Sequence, residues 1–470
     1  MKPKFLAIAV ATTLAAASLP AHASGYRFGS QSVSAQSTAD ANGAEALDAS
    51  TIYANPAGLT RLEGTQITGG VTVVMPHSTF TDGGSRRFTG TGSGGLTTQD
   101  SYVPDMVAAP SLYFSKRIDQ RWTAGVGLFV PYGTKLDYDN NWSGRYALTN
   151  VKLESINLNP SLGFKLNEQH AFGFGVSAQF MKAKLGQGVD VPGSLAALAG
   201  SPNGAALLRG VIAAGGNPAV LSSVQDGHGS MEGQDWGYGW NLGYLFQLNP
   251  DTRFGLAYRS SVSHKMRGGA LWDFTVTTDP IVNRIIAANS GRANSAVLLD
   301  VRTPETFSIN GFHQIDRQWA VMGDASWTRN SRLRNLNIQF PGTVQGDEVI
   351  QQNWKNTWRF SLGTSYQLNE KLALRGGVAY DQSPVAGNTL RHPALPDEAR
   401  TQFSFGANWK LDSNASLDLA YSYLRFHDAE GSYKNSCSPL MSGCTGNGEL
   451  TRGTWQTHMQ LVSVAYTYKF

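Results

Sequence analysis

Along most of the chain, apolar and polar residues alternate with a period of two. From Trp236 to Phe246 the even positions are Trp, Tyr, Trp, Leu, Tyr and Phe, with Gly237, Gly239, Asn241 and Gly243 between them. Phe172, Phe174 and Val176 face away from Gly173, Gly175 and Ser177, and Trp358, Phe360 and Leu362 from Arg359, Ser361 and Gly363. This period belongs to strands with one apolar face. Six pairs of an aliphatic residue and Asn or Asp punctuate it: Ile118-Asp119, Leu166-Asn167, Leu248-Asn249, Ile315-Asp316, Leu368-Asn369 and Leu411-Asp412. Asn and Asp suit tight turns because their side chains bond the local backbone. Six turns joining strand pairs predict twelve strands. One more precedes them (about Thr65 to Thr79) and one follows (about Gly453 to Phe470), which makes fourteen.

The chain's ends decide what such a sheet is for. Lys2 and Lys4, the apolar stretch Phe5 to Leu19 and the small residues of Ala21-His22-Ala23 form a secretory leader, with cleavage expected before Ser24. Nothing downstream is apolar for long enough to cross a bilayer as a helix. A chain that meets a membrane without such a helix must close its strands into a barrel. The last strand carries Val462, Val464, Tyr466, Tyr468 and Phe470 on one face. A terminal Phe after alternating apolar residues resembles the signal read by the bacterial barrel-assembly machinery. Charged residues are 15 % of the chain, below the roughly 25 % usual in soluble proteins. The net charge of +4 includes Lys2 and Lys4, so +4 − 2 = +2 remains after cleavage, and nucleic acid is not an expected partner. A soluble β-sandwich also alternates, but the leader and Phe470 favour the outer membrane of a Gram-negative bacterium. The expected class is all-β: a transmembrane antiparallel β-barrel of about 14 strands, even in number, with short periplasmic turns and long extracellular loops.

Ser24 to about Gly64, beginning Ser24-Gly25-Tyr26, does not alternate. A fourteen-stranded lumen is too wide for its own side chains to fill, so this segment is expected to be an internal plug; a periplasmic tail is the alternative. The expected division is a leader over 1–23, a plug over 24–64 and a barrel over 65–470. Across nearly its whole mature length the chain resembles the FadL family of outer-membrane transporters for long-chain fatty acids and hydrocarbons. The resemblance rests on Asn55-Pro56-Ala57, Tyr132-Gly133, Leu158-Asn159, Asp235 to Asn241, Tyr258-Arg259-Ser260 and Asp381 to Val385. It implies an N-terminal hatch and a lateral opening where the third strand, here about Arg121 to Tyr138, kinks inward. Phe129 and Pro131 fall in the lumen phase of that strand, and Pro131 with Gly133 interrupts it. Phe129, Pro131, Tyr132 and Gly133 are therefore the candidate opening, unless the break is only a bulge.

Two loops, roughly Gly186 to Gly233 and Ala270 to Ser295, carry apolar residues at helical spacing. Leu195, Leu198, Leu207, Leu208, Val211 and Ile212 lie in the first, and Ile281, Val282, Ile285 and Ile286 in the second. Exposed apolar patches bind something, and the resemblance implies a groove that captures a hydrophobic ligand; loop-on-loop packing is the alternative. For a ligand carboxylate, Arg332 and Arg334 lie in the lumen phase of the strand that holds Trp319 and Trp327. Lys182 and Lys184 share a phase with Phe180 and are expected to meet lipopolysaccharide phosphates beside the outer-membrane lipid. Gly90, Gly92 and Gly95 have dinucleotide-loop spacing without a strand-turn-helix around them. His228 and Ser230, expected in a loop, are the sole trace of a barrel hydrolase. Cys437 and Cys444 are expected to form a loop disulfide in an oxidising compartment. No catalytic residue, metal or cofactor is expected. The expected function is passive uptake of long-chain fatty acids, or alternatively of aromatic or aliphatic hydrocarbons.

Overall fold

The computed structural model describes residue 27 and residues 29–435 and 448–470. The leader, Ser24, Gly25, Tyr26, Cys437 and Cys444 lie outside the described residues. The strands form one closed antiparallel barrel of fourteen staves, several of them in two pieces. They are β1 (Thr65–Asp82), β2 (Thr98–Asp100 and Val107–Arg117), β3 (Trp122–Phe129 and Gly133–Asp137), β4 (Asn150–Lys165) and β5 (His170–Val189). Next come β6 (Gly227–Asn249), β7 (Thr252–Arg259 and Ser263–Asp273), β8 (Ser295–Arg302 and Thr306–Gln314) and β9 (Trp319–Thr328 and Asn335–Gln339). The last are β10 (Glu348–Gln351 and Thr357–Gln367), β11 (Leu372–Asp381), β12 (Arg400–Lys410), β13 (Ala415–Phe426 and Ala429–Lys434) and β14 (Leu450–Lys469). Each pairs with the next, and β14 closes on β1 from Gln66↔Lys469 to Asp82↔Gly453.

All six Asx turns form, and by one mechanism. The side-chain oxygen of Asp119, Asn167, Asn249, Asp316, Asn369 or Asp412 accepts backbone N–H groups two and three residues on. The aliphatic residue before each is exposed, so the turn end of the barrel carries an apolar ring. The alternation also holds: Phe172, Trp236, Tyr238, Trp358 and Phe360 face outward, while Ser177, Asn241 and Ser361 are buried inside.

At the opposite end the strands run further than their composition predicts. β5 reaches Val189 and β6 starts at Gly227, so the first apolar loop spans only 190–226. His228 and Ser230 accordingly stand on β6 rather than in a loop, paired with Asp273 and Leu271 of β7. Glycine-rich stretches read as loops because Gly lacks strand propensity; here both neighbouring strands supply the ladder.

Residues 29–64 pack against the inner faces of the staves. The segment holds two single-turn helices, α1 (Val33–Gln36) and α2 (Thr51–Ala54), and a 3₁₀ turn over Pro56–Arg61. Its side chains reach widely separated strands. Gln36 accepts from Ser463 on β14, the Glu45 carboxylate pairs with Arg375 on β11, and Asp40 pairs with Arg359 on β10.

Candidate functional site

The Asn55-Pro56-Ala57 element anchors this segment. Asn55 Nδ2 donates to the carbonyls of Tyr244 (3.1 Å) and Leu256 (3.3 Å), while its Oδ1 accepts the Ala57 N–H and caps the 3₁₀ turn. The approach is close enough that two inward glycines are obligatory. A Cβ at Gly173 would lie 2.2 Å from Ala57 N, and one at Gly243 would lie 2.1 Å from Asn55 Oδ1. These are members of the aromatic/Gly alternation seen in the sequence, which marked a strand but not the body pressed against it.

Above the segment lies a cavity of about 920 Å³. Its walls are apolar at Leu136, Leu424, Phe426, Met459 and Leu461, and charged at Arg27, Asp40, Arg259, Asp324, Arg359, Asp381 and Arg400. Two of the four arginines are neutralised by carboxylates: Arg359 by Asp40 at 3.0 Å and Arg400 by Asp381 at 2.8 Å. The other two have no carboxylate within ion-pair distance among the described residues, although Asp40, Asp324 and Asp381 act on Arg27 through space. Arg27 donates to Tyr53 Oη (3.2 Å), and Arg259 donates to the Tyr53 carbonyl (3.1 Å) and Asn159 Oδ1 (3.1 Å). The Arg259 guanidinium also lies 5.1 Å from the Tyr53 ring centre and 5.5 Å from that of Phe129. Ring faces attract a cation without cancelling its charge.

The barrel wall is open beside this cavity. The lower part of β3 pairs with β2 only as far as Leu128↔Leu112. Above that point Val107 to Ser111 of β2 pair with β1, and Gly133 to Asp137 of β3 pair with β4. The seam ends where the Asp137 N–H donates to the Tyr102 carbonyl at 2.6 Å. Val107, Ala108 and Ala109 on one side and Gly133, Thr134 and Leu136 on the other line the cavity itself, and Met106 beside them is 63 % exposed.

Val130, Pro131 and Tyr132 form the break in β3. Gln31 of the inner segment treats Val130 as a strand neighbour would: its Nε2 donates to the Val130 carbonyl (2.6 Å) and its Oε1 accepts the Val130 N–H (3.0 Å). Ser155 Oγ does the same for Tyr132, donating to its carbonyl (2.7 Å) and accepting its N–H (3.0 Å). Phe129 is buried inside, edge-on to Tyr53 at 5.1 Å and packed with Ile52 and Leu59. Gln31 and Ser155 carried no signal in the sequence, because a polar side chain that replaces a strand is recognisable only after the strand is seen to be missing.

The apolar loops fold as short helices, α3 (Val191–Leu198), α4 (Pro202–Ala213) and α5 (Pro280–Asn289). Val211, Val282 and Ile286 are buried in one cluster, with Leu195 and Ile285 packed against it. Ile281, Leu198 and Leu207 are partly covered, whereas Leu208 and Ile212 remain exposed.

Arg332 and Arg334 correct the sequence reading. Neither lines the cavity. Arg332 makes two hydrogen bonds to Glu305, at 2.8 and 2.7 Å. The strand phase does not carry to them because β9 stops at Thr328 and a tight turn over Asn330–Arg332 follows. The cavity's arginines come instead from the N-terminal segment, β7, β10 and β12.

The family model described as outer membrane protein transport protein (OMPP1/FadL/TodX) matches residues 14–470. A putative outer membrane protein of Neisseria meningitidis serogroup B is 34 % identical over 471 residues, covering 98 % of this chain and 97 % of its own. The long-chain fatty acid transport protein of Escherichia coli K12 is 27 % identical, covering 90 % and 92 %. A Pseudomonas aeruginosa FadL homologue of known crystal structure superposes with a TM-score of 0.79 at 23 % identity, over 95 % of this chain and 100 % of that one, which shows the shared fold.

Proposed function

Because the chain belongs to the OMPP1/FadL/TodX family of outer-membrane transport proteins, we propose that the hydrophobic compounds it conducts are long-chain fatty acids, released sideways through the seam between β2 and β3. A relative named for that substrate aligns over 90 % of the chain. The chemistry of the cavity supports the same class. Leu136, Leu424, Phe426 and Met459 suit an alkyl chain, and Arg259 supplies cationic charge with no ion-pair carboxylate among the described residues. A buried cation is costly unless paired, and a ligand carboxylate is the natural partner, held by the arginine's fork. A plain hydrocarbon would leave Arg259 unanswered.

In this reading residues 1–23 are a leader, 24–64 a plug and 65–470 the conducting barrel. The loops that carry Leu208 and Ile212 capture the ligand, and the cavity passes it to the seam. The observation that carries the proposal is that the seam and the cavity are lined by the same residues.

The test is the double variant Pro131→Val, Gly133→Thr, which restores a backbone donor and a strong strand former. Gly133 has room for it, since the nearest atom to a Cβ there is the Leu153 carbonyl oxygen at 3.7 Å. With folding verified by heat-modifiable gel mobility, uptake of a labelled long-chain fatty acid by cells carrying no other such channel should fall sharply. Normal uptake by a folded variant whose seam is closed rejects lateral release. Uptake of toluene in preference to the fatty acid by the unmodified protein rejects the substrate class.

A further inference from the structure

The outer wall of β4 to β8 carries a charged surface that begins at the cavity, which Lys152, Glu154 and Lys182 also line, and extends beyond it. Outward-facing residues form a row across four strands, Glu154↔Lys182↔Gln234↔Arg267, with a second row, Lys152↔Lys184↔Glu232, beyond it. Lys265 and Arg302 stand on the same face of β7 and β8. The sector thus holds six cations, Lys152, Lys182, Lys184, Lys265, Arg267 and Arg302, against the carboxylates Glu154, Glu232 and Asp300, with Asp235, which accepts the Lys265 N–H at 2.7 Å, and Asp273 at its margins. Only two pairs form: Lys152 to Glu154 at 2.7 Å and Lys182 to Glu232 at 3.8 Å. Among the described residues Lys184, Lys265 and Arg267 have no ion-pair partner. On the opposite wall the row Tyr380↔Thr401↔Arg425↔His458↔His77 holds a single permanent cation.

The height of the sector is set by the rings beside it. Phe180 and Trp236 contact each other at 5.3 Å, Trp240 and Tyr258 at 5.0 Å, and Tyr238 is 75 % exposed. Outward aromatic residues of this kind mark the membrane–water boundary. Lys182, Arg267, Lys152 and Lys184 lie one or two rows beyond it, at the end away from the Asx turns, and Lys265 and Arg302 lie level with the rings; long Lys and Arg stems lie along the wall with their heads in the polar layer. What occupies that layer beside an outer-membrane barrel is the phosphorylated disaccharide of lipid A. Two phosphates on an acylated sugar match both halves of the surface: rings for acyl chains, and unpaired Lys and Arg for phosphate oxygens.

We propose that this sector is a binding site for the diphosphorylated headgroup of one lipid A molecule. Lys184, Lys265 and Arg267 do not line the cavity, so the assignment stands whatever the channel conducts. In detergent, the folded full-length mature protein should bind diphosphoryl lipid A, measured by native mass spectrometry, more tightly than a lipid A lacking its phosphates. The triple variant Lys184→Gln, Lys265→Gln, Arg267→Gln should weaken that binding by roughly 100-fold, at about one surface charge each. The control Arg425→Gln, His458→Gln, His77→Gln should leave it unchanged. Where the triple variant does not fold, the single variant Arg267→Gln serves, with a loss of roughly fivefold expected. Equal binding by folded variant and parent, or equal binding of the dephosphorylated lipid, overturns the proposal. Inorganic pyrophosphate that binds as tightly as lipid A also overturns it, in favour of a free-phosphate site.

Discussion

The ion pair between Glu45 and Arg375 offers the sharpest test of what holds the N-terminal segment in place. Arg375 Nη2 donates to Glu45 Oε1 at 2.7 Å and Nη1 to Oε2 at 3.1 Å, with side chains 3 % and 9 % exposed. Arg375 keeps its backbone ladder with Ser365 and Gly406 whatever Glu45 does. Glu45→Ala therefore leaves a buried guanidinium that keeps the Ser34 carbonyl, at 3.4 Å, as an acceptor. Removing one partner of a buried pair costs about 3–5 kcal/mol, and here the cost falls on the docking of the segment. At about 1.4 kcal/mol per decade, the undocked fraction should rise on the order of 100- to 1000-fold. Amide hydrogen exchange reads this directly. Protection of Ser37, which donates to the Val33 carbonyl, and of Asn55, which donates to the Thr51 carbonyl, should drop by that factor, while β10 to β12 stay protected. The apolar swap Glu45→Leu, Arg375→Met should restore protection, because replacing both partners is often neutral. Unchanged exchange in Glu45→Ala, or equal loss along β10 to β12, refutes the reasoning.

Two further outcomes follow from close packing and from charge burial. Gly173→Val drives a side chain into Pro56 and Ala57, whose backbone atoms lie 2.2 Å from where its Cβ would stand; residues 29–64 should become sensitive to added protease while the barrel still migrates as folded. In the extracellular cap, burial pushes the Glu449 carboxyl up to about 8 from its ordinary 4.5, with repulsion by Glu348 adding to it and Asn435 and Arg292 opposing it. Between those two values the folded cap holds a proton that an opened one has released, so the cap weakens as pH rises from about 4.5 to 8. Exchange at the Asn435 amide, corrected for its intrinsic pH dependence, should accelerate over that window and should lose the trend in Glu449→Gln.

What was legible in the sequence is what depends on neighbours a few residues apart. An Asx turn is made by one side chain and the next backbone donors, so Asp119 and Asn369 announce themselves. Outward aromatics likewise alternate because the solvent on that face is lipid throughout. Contacts between distant residues were not legible. Arg332 is placed by counting in twos from Asp324, on the face opposite Trp319 and Trp327, and the count fails at Thr328, where the strand ends. Its partner Glu305 lies in the break between the two pieces of β8, and no local pattern joins them. The lengths of β5 and β6 beyond the bilayer were hidden for the same reason: Gly227 to Gly233 is a strand because Val189 to Ala183 lies opposite it.

A seam in a barrel wall has an energetic cost that this chain meets in a particular way. Strand neighbours satisfy backbone groups in lipid, and each group left unmet costs several kcal/mol. A break of three residues ordinarily exposes three N–H and three C=O groups. With proline in the middle, Val130, Pro131 and Tyr132 expose five. Gln31 meets both groups of Val130 and Ser155 both groups of Tyr132, and Tyr132 also forms an antiparallel bridge with Arg27 of the N-terminal segment. Ser155 belongs to β4 and is always present, but Gln31 belongs to the N-terminal segment. The seam and the segment are therefore coupled through the Gln31 side chain and the Arg27–Tyr132 bridge: a segment that moves away from β3 returns both Val130 groups to the seam, breaks the bridge and raises the cost of keeping the seam open.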